Sequence, residues 1–337
     1  MKPDLWSLYR QMLKSRLFEE AVIQLWEDGR ISGEMHLGIG EEAIVAGVLD
    51  HMREGDAVAL DHRGTPALLM RGIDPTLLLK EFLGRHDGLC SGMGGHMHLF
   101  SPEHLAASSG IIGASGPAAV GFALAAVHLR PEAVAVAFFG EGAANQGMMM
   151  EAMNLAVVWK LPVLFVCKDN EWAISTFSPS VTGGNLIDRA KGFGIDAIEV
   201  DGMDVEAVWN NASEAIERAR AGLGPTFLLG RCAHREGHFL GDQLLRMGRH
   251  PLKEMGRAGP LLRSVTQRGE VPMRERTKSL NTVASIGKKM VDQISKRGDP
   301  LDRARQVLEP DTERLQRLEE EVKQEIQQAV DAALSDK

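Results

Sequence analysis

The stretch from Ala133 to Thr176, AVAVAFFGEGAANQGMMMEAMNLAVVWKLPVLFVCKDNEWAIST, constrains the fold more than any other part of the chain. Two short apolar runs, Ala133–Phe139 and Val163–Cys167, lie on either side of a helical stretch, Asn145–Trp159. This is the pattern of a right-handed βαβ unit, whose two strands are parallel. The first strand ends in an acidic glycine turn carrying Glu141, and the second in a turn that reaches Asn170. Adjacent parallel strands lie ~4.8 Å apart, so side chains just beyond their carboxyl ends can reach one ion. A carboxylate and a carboxamide are both hard oxygen donors. Magnesium takes few protein ligands of this kind, at ~2.0–2.1 Å, with substrate phosphates and water completing an octahedron. The pair therefore implies a bound diphosphate.

The rest of the chain fits one α/β domain spanning 1–337, a parallel sheet flanked by helices. Helical N-terminal segments lead to the loop MHLGIGEEA, a strand at Ala57–Leu60, a helical hairpin over Thr76–Phe82 and the glycine-rich CSGMGGHMHLF. GIIGASGPAAVGFALAAVHL reads as a loop entering an Ala-rich helix packed through small residues, and Ile198–Val200 and Thr226–Leu229 as further strands. From Arg246 to Arg297 the chain is polar with little strand character, the best candidate for mobile or variable structure. Leu315, Leu318, Val322, Ile326 and Val330 then keep helical spacing, which predicts a C-terminal helix over 311–336 packed along one face.

With 44% hydrophobic and 25% charged residues, 337 residues can bury a substantial core. A net charge of −8 without a long basic run argues against nucleic acid, whose phosphates demand clustered Lys and Arg. No membrane segment or export signal is visible, and three cysteines, Cys90, Cys167 and Cys232, form no close pair. A reducing cytoplasm is expected.

GEGAANQG through KDNEWAIS resembles the thiamine-diphosphate motif, GDG followed after about thirty residues by NN, of the alpha subunits of 2-oxo acid dehydrogenases. These are the decarboxylating components of the pyruvate, branched-chain 2-oxo acid and acetoin dehydrogenase complexes. The resemblance covers nearly all of the chain and implies the thiamine-diphosphate-binding fold. It implies magnesium bound by Glu141, Asn170 and the backbone of Trp172, with Gly140, Gly142 and Ala143 against the cofactor. Asp169 departs from the first Asn of the usual pair.

By the same resemblance Arg63 grips the cofactor diphosphate, to which its planar fork is suited. Thr65 stands where family members often have His. In GMGGHMHLF, His98 matches a family His near the cofactor entrance, and His96 replaces the usual Ser. Gly110 and Ile112, in GIIG, match positions whose carbonyls bond the aminopyrimidine. His36, a catalytic candidate, matches a His lining the substrate end, and His238, four residues before Asp242, a catalytic His in a GHxxxD loop that also reaches the cofactor. The family's second diphosphate Arg falls at His234. Arg235 is adjacent but is expected to point the other way.

The resemblance implies an alpha subunit that decarboxylates a 2-oxo acid or cleaves acetoin and passes the acyl unit to a lipoyl group. It further implies a separate beta subunit, an assembly of two alpha and two beta chains, and a lipoyl acyltransferase partner. Two alternatives stay open: a stand-alone thiamine-dependent lyase or acyloin synthase, and a catalytically silent paralogue acting as a binding subunit.

Overall fold

The computed structural model describes residues 2–249 and 272–335. At its centre a seven-stranded sheet runs in the order β2-β3-β1-β4-β5-β9-β8. Its strands are β1 (Ala57–Leu60), β2 (Phe100–Ser101), β3 (Ala106–Ser108), β4 (Ala135–Gly140), β5 (Val163–Asp169), β8 (Asp196–Asp201) and β9 (Thr226–Arg231). Every neighbouring pair is parallel except β2 with β3. A separate hairpin, β6 (Trp172–Ala173) with β7 (Thr176–Phe177), lies beyond β5.

The central strands are buried on both faces, which is why their sequences are continuously apolar. In β4 and β5 alternate residues sort to opposite sides. Val136, Phe138, Leu164 and Val166 join one core cluster, while Ala135, Ala137, Phe139, Val163, Phe165 and Cys167 join the other. The helices on the second side are α5 (Ser115–Leu129) and α6 (Gly147–Val158), the latter being the crossover between β4 and β5. They approach closely: a Cβ on Gly116 would stand 2.6 Å from the Met149 sulfur.

α1 (Leu5–Glu27), α2 (Glu42–Leu49) and α7 (Val205–Arg220) pack on the first side, α1 being capped by Asp4, whose Oδ1 accepts from Trp6 N at 3.1 Å. α3 (Thr65–Met70) and α4 (Pro75–Phe82) follow β1, so Thr76–Phe82 belongs to one helix rather than a hairpin. The C-terminal helix spans Thr312–Leu334 and buries Leu315, Val322 and Ile326 as the spacing predicts. Within the polar segment 246–297, Met273–Arg297 forms a 25-residue helix. Residues 250–271 of that segment lie outside the described residues. No helix among the described residues is long and apolar enough to cross a membrane.

Candidate active site

Strands β4 and β5 end level, Gly140 opposite Lys168, so the turns that follow them meet. A Cβ on Gly142 would stand 3.0 Å from that of Ala173, so the first turn requires glycine to pass the second. The loop after β5 is tightly wound. Glu171 and Ile174 both adopt positive φ, 66° and 57°, the latter costly for a β-branched residue and held by the β6–β7 hairpin. Asn170 Oδ1 accepts from Trp172 N at 2.9 Å, and Glu141 Oε1 from Ser178 Oγ at 2.5 Å. Burial raises the Glu141 carboxyl to about 7, assisted by nearby Asp169. A cation there would favour the ionised form. Asp169 itself turns away to Arg231 at 2.5 Å and accepts from Glu171 N at 2.8 Å.

These turns wall a cavity of about 280 Å³, which Arg63, Ile112, Trp172 and His238 also line, with Gly140, Glu141, Gly142, Ala143 and Asn170. His36, His98 and Gly110 are outside its lining. His98 is exposed beside Gly110, whose Cβ would meet its Nε2 at 3.2 Å. His36 is buried behind the wall, its ring edge-on to His62 and His238 at centroid distances of 4.8 and 4.9 Å.

Arg63 is 3% exposed, and among the described residues it forms no ion pair. Its guanidinium donates instead to the carbonyls of Leu37 at 2.5 Å and His238 at 2.6 Å. Glu41, Asp61 and Glu19 act on this charge without a direct pair, so the guanidinium keeps donors for an anionic ligand. Burial, reinforced by this charge, lowers His36 and His238 to about 3 and His96 to about 4, so these rings are neutral at neutral pH. Asp242 accepts from the His238 backbone N at 3.0 Å, which orders the loop without engaging the ring.

His234 faces the cavity, whereas Arg235 points away, its Nε 3.2 Å from Asp299 Oδ2. Thr65 is buried as the first residue of α3, and His96 stacks on His36 at 5.2 Å. Sequence reasoning missed four residues here: Glu41, Asp61, His62 and Lys168. Lys168 Nζ is buried between Glu41 at 2.6 Å and Asp61 at 3.1 Å, and Glu41 also takes His234 Nε2 at 2.5 Å. Burial opposes both charges, but the pairing outweighs it, holding Lys168 above and Glu41 below their usual ranges. The signal was a lysine and two acids beside runs otherwise buried.

A parallel α/β sheet with oxygen donors at two adjoining strand ends, beside a buried arginine, has its candidate site outside the strand carboxyl ends, where such sheets bind ligands. The chain belongs to the dehydrogenase E1 component family, whose model matches residues 9–256. It is 40% identical over 286 residues to the alpha subunit of acetoin:2,6-dichlorophenolindophenol oxidoreductase from Cupriavidus necator, covering 81% of this chain and 84% of that one. It is 39% identical over 260 residues to the pyruvate dehydrogenase E1 component subunit alpha of Zymomonas mobilis, covering 75% and 73%. A Campylobacter jejuni transketolase shares the fold, with a TM-score of 0.54 at 17% identity, over 88% of this chain and 49% of that one.

Proposed function

We propose that the chain is the alpha subunit of a thiamine-diphosphate- and magnesium-dependent dehydrogenase that decarboxylates a 2-oxo acid or cleaves acetoin. The observation that carries the reading is the placement of Glu141 and Asn170 at adjoining strand ends, in one cavity with buried Arg63, whose guanidinium forms no ion pair among the described residues. The names of the relatives, an acetoin oxidoreductase and a pyruvate dehydrogenase, support this reaction class and favour neither substrate.

In this reading Glu141, Asn170 and the Trp172 carbonyl hold magnesium, and Arg63 binds the diphosphate with the backbone of Gly140, Gly142 and Ala143. The Gly110 and Ile112 carbonyls meet the aminopyrimidine, and His98 flanks the entrance. When bound, thiamine diphosphate supplies the electron sink for breaking the bond beside the carbonyl. The protein contributes placement, charge and proton handling. His238, held neutral by burial and the Arg63 charge, can take a proton at its ring once a bound diphosphate offsets that charge, and His36 behind it is the second catalytic candidate.

The chain supplies one wall of the cofactor's surroundings, so a beta subunit completes the site, in an assembly of two alpha and two beta chains. A lipoyl acyltransferase receives the acyl unit. Co-expression with a beta chain tests this: decarboxylation of a 2-oxo acid or oxidation of acetoin should appear with a dye acceptor and be absent from the chain alone. Full turnover by the isolated chain would favour a stand-alone lyase. Cofactor binding by the pair without turnover on any of these substrates would favour the silent subunit.

A further inference from the structure

Three imidazoles converge at the Arg63 end of the cavity, those of His36, His62 and His238. One ligating atom from each can be chosen so that all three lie within 4.8 Å of one another. His36 meets His62 and His238 edge-on, at 86° and 82°, while the His62 and His238 centroids are 5.7 Å apart.

The hydrogen bonds decide which nitrogens are available. The backbone N–H of His36 can only donate, and it donates to His96 Nε2 at 3.2 Å, so that nitrogen carries a lone pair. The 2.9 Å contact between His36 Nδ1 and the same atom then requires the proton on His36 Nδ1. His36 Nε2 is left with its lone pair free, and its Nδ1–H is tied to a fixed acceptor, the arrangement that holds an imidazole in place as a metal ligand. His62 Nε2 is buried and has no hydrogen-bond partner among the described residues. His238 Nδ1 accepts a long 3.3 Å bond from Arg63 Nη2, which donates more closely to the His238 carbonyl. Coordination through His238 Nε2 moves its proton to Nδ1, which then faces the Arg63 Nη2 donor at 3.3 Å, a contact that rotation of the ring relieves.

We propose that His36, His62 and His238 form a tris-imidazole site for a divalent transition cation of the zinc or cobalt type, separate from the oxygen donors Glu141 and Asn170. Nitrogen donors select such ions over magnesium, and three of them leave a fourth position open towards the cavity. Bonds of ~2.0–2.1 Å draw the nitrogens closer than they stand, a movement that rotation about the side-chain torsions provides. Arg63 repels a cation here, and Glu41 and Asp61, which line the same cavity, offset part of that repulsion. An ion in this place closes the end of the cavity occupied by His238 and Arg63. Under the proposed function it inhibits turnover, a consequence that rests on that reading, whereas the binding site does not.

Cobalt titration of the full-length chain, with excess magnesium present throughout, tests the site. One equivalent should develop the visible absorption of four-coordinate cobalt, retained in Glu141→Ala. His62→Phe and His36→Phe should each weaken binding at least ~10–100-fold, the loss that follows even from removing a ligand's supporting partner. The proposal is overturned if the wild-type chain develops no such absorption, if His62→Phe keeps it, or if Glu141→Ala abolishes it. The wild-type titration decides against the site by itself, so a variant that fails to fold leaves the claim exposed.

Discussion

Replacing Lys168 with Met should destabilise the chain markedly, although Met fills much of the same space. Lys168 is 2% exposed and bridges Glu41, 1% exposed, and Asp61, 13% exposed. Removing one partner of a buried ion pair costs about 3–5 kcal/mol, because the remaining charge is left desolvated without compensation. Two carboxylates lose their cation here, but the losses do not double. Glu41 keeps His234, and Asp61, nearer solvent, still accepts from the Arg63 backbone N at 3.1 Å. At the lower slope of ~2 °C per kcal/mol suited to longer chains, the melting temperature should fall by roughly 6–10 °C. Scanning calorimetry of the chain without cofactor measures it. The double variant Lys168→Met, Glu41→Gln should recover more than half of the loss, since the amide needs no counter-charge. A shift of Lys168→Met below ~2 °C, or a double variant less stable than the single, would refute the reasoning.

Three other outcomes follow from the site. With a beta chain present, His238→Ala should still bind cofactor but lose acyl transfer to lipoamide by ~10²–10⁴-fold, the span of one general acid–base group; near-normal transfer would point to His36 instead. Because His238 sits at about 3 in the fold and near 6.5 when unfolded, the unfolded chain binds more protons below pH 6.5. Wild-type stability should therefore drop relative to His238→Phe as pH falls from 6.5 to 5, and parallel melting curves over that range would contradict the buried neutral imidazole. Gly40→Ala should be strongly destabilising, because Gly40 has φ 103° and an added Cβ would stand 2.0 Å from the Ala233 carbonyl oxygen. Strain alone contributes ~1–3 kcal/mol, and a melting temperature unchanged by the substitution would count against this packing.

The βαβ unit was legible because β4 and β5 are buried on both faces, so their residues are apolar without interruption. The turn residues Glu141 and Asn170 follow directly from where those strands end. Helix Met273–Arg297 was not, since among its described side chains only Met290 is fully buried. Its apolar contacts, Ile286, Met290 and Ile294, are four residues apart and pack on Trp172 and Leu245, a stripe too sparse to stand out from the surrounding charge. Lys168 was illegible for a different reason. A lysine at a strand end reads as solvated, and the acids that neutralise it lie 127 and 107 residues away in sequence. Sequence separation hid the histidine cluster as well: His238 meets Arg63, the neighbour of His62, across 175 residues.

The central claim is that Glu141 and Asn170 hold the metal that anchors thiamine diphosphate. Calorimetric titration of the cofactor into the chain, with and without magnesium, tests it most directly. Wild-type binding should depend on magnesium, and both Glu141→Ala and Asn170→Ala should abolish it while keeping the wild-type circular dichroism spectrum. Wild-type affinity in either variant, or binding by the wild type unaffected by magnesium removal, would contradict the account.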